Sequence, residues 1–207
     1  MKNMIITAQF LLSKLIYKND LDKLIDTISR TIEKKYIIDN NIINIIIAAE
    51  DKRFYRHYGF DILAIFRALF RFIFYSEKSG ASTIDQQLVK TITQNNNPTI
   101  NRKIKEIVLA SSINNIYSKY EIVYSYICLA YYGWRIHGYN AACIRLKNEN
   151  IVTENDIPYA IISLLKYPLP RYPSEKSLNR IYNRIVYIKF RLSTLRHKYL
   201  FTISEEN

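Results

Sequence analysis

Glycine and proline are scarce in this chain of 207 residues, at 4 and 5. A β-sandwich needs many tight hairpins, so this shortage of turn-formers argues against one and favours a mostly helical domain. It also excludes collagen-like and linker-rich designs. Cysteine occurs only as Cys128 and Cys143, too few for a disulfide framework and at no metal-binding spacing; both read as ordinary helix or core thiols. Acidic side chains are short as well, 18 against 30 Lys and Arg, which leaves a net charge of +12. No apolar run reaches the roughly 20 residues of a membrane span. The best candidate, residues 4–17, is interrupted by Gln9, Ser13 and Lys14. Lys2 stands before it like a signal-peptide n-region, yet no small-residue cleavage site follows. An interfacial helix on a membrane and a helix packed on the body of the domain both remain open.

What is present is apolar: 49% hydrophobic and 14% aromatic residues, with 18 Tyr. That excludes a disordered chain and gives one domain, or one with a small appendage, enough material for a core. The charge calls for an anionic partner, whether nucleic acid, an acidic membrane surface or a phosphorylated substrate. Richness in Ile, Asn, Lys and Tyr reads partly as compositional bias, so many Lys are no more than a solvated face.

Helical signals follow one another along the chain. An apolar run over 42–49, broken by Asn44, ends in Glu50-Asp51-Lys52-Arg53. Asp61 caps a helix to about Ser76, with Ile62, Ile65, Phe66, Leu69 and Ile73 near one face. Ser82 with Asp85 forms a capping box for a helix to about Thr93. Asn101 caps a helix over 102–116, Ser118 with Glu121 opens one to about Tyr132, and Thr153 with Asp156 opens one towards Lys166. Gly133 and Gly138 bracket a turn. Pro168, Pro170 and Pro173 hold a connector before a basic helix over about 176–198. The sum is all-α, with residues 1–36 as an N-terminal helical, membrane-associated or packed segment and 37–207 as the main domain.

Three polar clusters carry chemistry, and the glycines lie in or beside them. In IIAAEDKRFYRHYGFD, Glu50 emerges from an apolar run and is partly desolvated, which suits a general base. A salt bridge to Lys52 or Arg53 at the helix end is the plainer alternative. His57 reads best as a structural histidine. In GASTIDQQLVK, Ser82, Gln86 and Lys90 sit four apart as a stripe of donors, joined by Thr83 and Gln87, and such donors suit a sugar hydroxyl or a phosphate oxygen. In NRKIKEIVLA, Arg102 and Glu106 form an i,i+4 pair with Lys103 and Lys105 nearby. That arrangement is either a surface salt bridge or a carboxylate set among phosphate-binding cations.

EDKRFYRHYGFD with Arg67-Ala68, GASTIDQQLVK and RKIKE resemble, in order and residue type, the first three motifs of glycosyltransferase family 51, the peptidoglycan glycosyltransferases. SKYEI, Tyr131-Tyr132-Gly133, Gly138 and Ala141-Ala142 resemble the segment after them. The resemblance runs from about Ile37 to Leu192, and with no transpeptidase stretch following it points to the monofunctional form. It implies a lysozyme-like, bilobal helical fold, with head and jaw lobes and a cleft between them faced by Glu50 and Glu106. It also implies polymerisation of lipid II by inverting transfer with release of undecaprenyl pyrophosphate. In that frame Glu50 is the base on the acceptor 4-hydroxyl, and Glu106 stands near the departing pyrophosphate or a divalent cation. Ser82, Gln86, Gln87 and Lys90 hold the donor's sugar and phosphates, Arg102 and Lys103 meet the leaving group, and Tyr131 is a further substrate contact. No cofactor is required, with Mg or Mn as an open addition and no metal ligand assigned. The implied partners are lipid II, the growing glycan strand, an anionic membrane surface and other cell-wall synthesis proteins, with no nucleic acid. The implied place is the outer face of the bacterial cytoplasmic membrane, with peripheral or weak anchoring.

The sequence departs from the family pattern at Asn114, where a glutamate is expected. Tyr124 and Cys128 in KYEIVYSYIC replace a glutamate and an asparagine, and the loop before Arg102 lacks a lysine. A catalytically impaired scaffold that binds lipid-linked precursor is therefore the alternative reading. A lysozyme-type hydrolase shares the expected fold but not the donor-rich helix. A nucleic-acid binder ranks last, because no recognised motif accompanies the charge.

Overall fold

A computed structural model of the chain describes residues 11, 13, 15–76, 80–95 and 97–204. In chain order the helices are α1 (Lys18–Glu33), α2 (Asn40–Glu50), α3 (Ile62–Tyr75), α4 (Ile84–Thr93), α5 (Ile100–Ile113), α6 (Lys119–Leu129), α7 (Tyr139–Asn148), α8 (Ile157–Lys166) and α9 (Glu175–Ser204). The extended structure among the described residues is a hairpin of β1 (Tyr131–Gly133) and β2 (Ile136–His137), so the chain is all-α in class. Most of the segment at 4–17 lies outside the described residues.

The helices gather into two compact units, one of residues 1–36 and 53–129, the other of 37–52 and 130–207. In the first, α1 buries Leu21, Leu24 and Ile28 at spacings of three and four, the signature of a helix with one apolar stripe. That stripe meets α4, α5 and α6, which supply Ile84, Leu88, Leu109, Ile113, Ile122 and Ile127. In the second unit, α2 is so rich in Ile that β-branching would disfavour a helix in isolation. Burial overrides propensity there: Ile42, Ile45 and Ile46 are fully enclosed against α8 and α9.

Caps explain where the helices start. Asp61 opens α3 as its sequence suggests, accepting from the backbone N–H of Leu63 and Ala64. Elsewhere a neighbouring hydroxyl takes the role. Thr83, rather than Ser82, forms the capping box of α4 with Gln86, because its hydroxyl also donates to the carbonyl of Gly59 at 2.7 Å. Thr99 caps α5 in place of Asn101. The helix expected to run to Tyr132 stops at Leu129, where the hairpin begins. The one expected from Thr153 starts at Ile157 after a 3-10 turn over Glu154–Asp156.

α3 differs from every expectation of a packed helix. None of its residues is buried, and Phe66, Phe70, Phe72, Ile73 and Phe74 are each more than half exposed. No helix among the described residues is long and apolar enough to cross a membrane.

Two glycines are fixed by close backbone approach. Gly59 has φ +87°, and a Cβ there would lie 2.5 Å from the backbone of Ala110. At Gly133 a Cβ would lie 2.3 Å from the carbonyl oxygen of Leu169, whose N–H and C=O bind the hairpin through Tyr132 and Trp134. Gly80 has nothing within 4 Å of that position. Gly59→Ala and Gly133→Ala should therefore each destabilise their unit by about 3 kcal/mol or more. Gly80→Ala should stay within about 0.5 kcal/mol of the parent. Urea unfolding of the three variants measures the contrast, and equal midpoints would refute the close-approach account.

Candidate active site

The first unit holds the densest set of the residues singled out in the sequence. The RHYG loop is stitched to the helices that carry it. Ser111 donates to the carbonyl of Tyr58 at 3.2 Å, Thr83 to that of Gly59, and Gly59 rests on the α5 backbone. Arg53 pairs with Asp61 at 2.9 Å, which ties the start of the loop to the cap of α3. The N-terminus of α4 and the first turns of α5 are thereby set side by side.

Across that junction Lys103 reaches three acceptors. Its Nζ donates to Ser82 Oγ at 2.9 Å, Gln86 Oε1 at 3.1 Å and Glu106 Oε2 at 3.2 Å. Arg102 Nη1 donates to Glu106 Oε1, and Arg102 Nε to the carbonyl of Asn97. Glu106 is only 4% exposed, so a carboxylate there is sustained by the two cations. The arrangement is built, not incidental: α5 places positions 102, 103 and 106 on one face at spacings of three and four. Ser82, Gln86, Arg102, Lys103 and Glu106 thus come together. Gln86 is buried, and its Nε2 has no hydrogen-bond partner among the described residues. It is an unpaired donor enclosed behind the cluster.

The remaining sequence candidates are placed differently. Gln87, one residue on, is engaged by Tyr126 Oη at 2.6 Å. Lys90 is solvent-exposed near the end of α4. The stripe expected from Ser82 through Gln86 to Lys90 is therefore interrupted, since Ser82 precedes the helix and Gln86 turns inward. Glu50 and Tyr131 belong to the second unit. Glu50 ends α2 and pairs with Arg184 Nη2 at 2.8 Å, rather than with Lys52 or Arg53. Tyr131 is 48% exposed and its ring lies 5.2 Å from that of His137.

Sequence reasoning missed a buried hub. Asp85, treated as a capping residue, is fully enclosed. Its carboxylate accepts from Lys119 Nζ at 3.1 and 3.4 Å and from Asn114 Nδ2, with His57 Nδ1 at 3.9 Å. Lys119 also sits 4.4 Å from the centre of the Phe54 ring. Asn114, where the resemblance expects a glutamate, faces a carboxylate supplied from position 85. The available signal was an Asp inside an otherwise apolar helix stripe, which has to find a cation. The other substituted positions are structural. Tyr124 donates to the carbonyl of Tyr36, and burial pushes its hydroxyl up. Burial pushes the Cys128 thiol up to about 11 and raises Cys143 as well, so neither is a thiolate near neutral pH.

Around Glu106 the donor set does not suit a resident divalent cation. Mg and Mn take several oxygens, whereas here one carboxylate is already shared by a guanidinium and an ammonium. Chemically, the cluster is a carboxylate-anchored pair of cations with hydroxyl and amide donors beside it, which suits a phosphate or pyrophosphate with an attached sugar.

Comparison with known proteins converges on one family. A family model described as Transglycosylase matches residues 19–184. Penicillin-binding protein 1A of Rickettsia typhi (strain ATCC VR-144 / Wilmington) is 34% identical over 152 residues, which are 72% of this chain and 19% of that protein. Penicillin-binding protein 1A of Vibrio cholerae serotype O1 is 38% identical over 143 residues, 69% of this chain and 17% of that protein. The namesake from Neisseria gonorrhoeae is 37% identical over 158 residues, 76% and 18%. The chain spans about a fifth of the length of these curated relatives.

The Asp85 hub has a direct test. Asp85→Asn leaves the Lys119 ammonium in an enclosed site without its counter-ion and should cost about 3 kcal/mol or more. Adding Asn114→Asp restores a carboxylate at the same place and should recover part of that loss. Urea midpoints decide, and a double variant no better than the single one would show that charge in the pocket is not what matters.

Proposed function

This chain belongs to the transglycosylase family, and from that premise we propose that it is a peptidoglycan glycosyltransferase that polymerises lipid II. Family membership, together with the Lys103-centred cluster at Ser82, Gln86 and Glu106, carries the reading. In the reaction the acceptor's 4-hydroxyl attacks the donor's anomeric carbon with inversion. Its O–H bond breaks as Glu50 takes the proton, and the bond from the anomeric carbon to the pyrophosphate oxygen breaks with its electron pair on the departing undecaprenyl pyrophosphate. Charge accumulates on that leaving group, so preorganised cations and donors supply most of the stabilisation. Lys103 and Arg102, held by Glu106, serve that role, with Lys90 as an exposed third cation on α4. Ser82, Gln86 and Gln87 position sugar and phosphate oxygens in this reading. No step is assigned to a metal, because the donors at Glu106 do not fit one.

The same reading places the protein at an anionic membrane surface, the outer face of the bacterial cytoplasmic membrane where a lipid-linked donor is displayed. α3 is the contact we assign. It has no acidic residue, two arginines at 67 and 71, and an uncovered run of Ile, Leu and Phe. Such a helix lies in the interface with its cations among acidic headgroups.

Purified full-length chain incubated with lipid II should lengthen glycan strands on gels, with EDTA present as well as absent. Glu50→Gln should slow this by about a hundredfold or more, and Lys103→Ala by about tenfold or more. A Glu50→Gln variant at parent rate removes Glu50 from the mechanism, and release of soluble sugar in place of polymer replaces the transferase with a hydrolase. For the membrane contact, Phe66→Asp with Phe70→Asp should abolish sedimentation with phosphatidylglycerol vesicles. Undiminished sedimentation would move the contact elsewhere.

A further inference from the structure

We propose that Arg184 is the positioning residue for the base: it fixes the Glu50 carboxylate at the end of α2 and leaves one oxygen of it free to take the proton. The inference rests on the reading of Glu50 given above.

The last turn of a helix exposes unsatisfied carbonyls and the negative end of the helix dipole, an unfavourable place for a carboxylate. α2 ends on Glu50 and carries no basic side chain in its own last turn. Arg184 arrives from α9, 134 residues further along the chain, and answers both needs. Its Nη2 donates to Glu50 Oε1 at 2.8 Å and to the carbonyl of Ala49 at 3.3 Å. The two side chains are 17% and 11% exposed, so solvent and salt screen the pair weakly.

The guanidinium is itself held. It lies over Tyr187, Cζ to ring centre 4.8 Å, and the Tyr187 hydroxyl accepts from Arg191 Nη1 at 2.7 Å. Burial alone would raise that hydroxyl's pKa. The Arg191 hydrogen bond and the charges of Arg191, Arg184 and Lys166 outweigh it and leave it below the usual tyrosine value. Cations from α8 and α9 therefore converge beside the end of α2.

The contact to Glu50 is one-sided. Oε1 is taken, while Oε2 has no hydrogen-bond partner among the described residues. A carboxylate anchored at one oxygen and free at the other is oriented for proton transfer in a way that an untethered glutamate is not. Fold maintenance does not require the ion pair, because α9 already docks through Ile181, Ile185 and Ile188, all buried.

The test is lipid II polymerisation by full-length Arg184→Met, Arg184→Lys and Glu50→Gln variants, each checked by thermal melting. Arg184→Met should lower kcat by about tenfold or more with KM within about twofold. Arg184→Lys should recover part of the loss, and both should melt near the parent. A folded Arg184→Met variant at parent kcat beside an inactive Glu50→Gln overturns the assignment of Arg184 alone. A raised KM at parent kcat overturns it too, since Arg184 would then be binding substrate. Should Arg184→Met fail to fold, Arg184→Lys decides: reduced kcat supports the assignment and parent kcat overturns it. Parent activity in Glu50→Gln is the distinct pattern that defeats the reading of Glu50 and this inference with it.

Discussion

A carboxylate sealed from water is tolerable only where cations and donors compensate it, and Asp85 meets that condition with Lys119 and Asn114, while His57 Nδ1 stands 3.9 Å away. These partners come from the loop after residue 53, from the end of α5 and from the start of α6. Any displacement of one element would leave a buried charge without compensation, so the three are held in a single register around α4. The register in turn sets the Thr83 cap against Gly59 and brings Lys103 of α5 to Ser82 and Gln86. The Lys103-centred cluster thus depends on the electrostatic requirement at Asp85.

The three carboxylates at Asp85, Glu106 and Glu50 have different surroundings, and the roles proposed for them differ accordingly. Asp85 is enclosed and fully engaged, as a structural charge should be. Glu106 is enclosed but shares itself between two cations, Arg102 and Lys103. Glu50 is tethered at one oxygen only. A net charge of +12 could have been a featureless solvated face. Part of it instead has fixed positions: Lys103 and Arg102 on Glu106, Arg184 on Glu50, Lys119 on Asp85.

Much of this was legible in the residues themselves. Scarcity of glycine and proline pointed to helices, Asp61 marked the start of α3, and the motif order pointed to a family that the matched region bears out. The rest depended on contacts distant in sequence. Ser82 and Thr83 are adjacent and both suited to capping. What selects Thr83 is the carbonyl of Gly59, 24 residues earlier. Asn101 is a good cap by type, but Thr99 two residues before it already closes the turn. The partner of Glu50 had no local signature at all, since Arg184 looks like any other cation of a basic helix. Nor did the apolar stripe of α3 reveal that no described residue would bury it.

The hairpin raises a matter of timing. Gly133 is locked between the backbone groups of Leu169, and α9, which completes the core around α2, comes later still. During synthesis the isoleucine-rich α2 therefore leaves the ribosome well before the helices that shelter it. The second unit cannot close until α9 has been synthesised, whereas the contacts of the first are complete by residue 129. For that interval the nascent chain exposes an apolar segment, the kind of surface that makes incompletely folded chains prone to association.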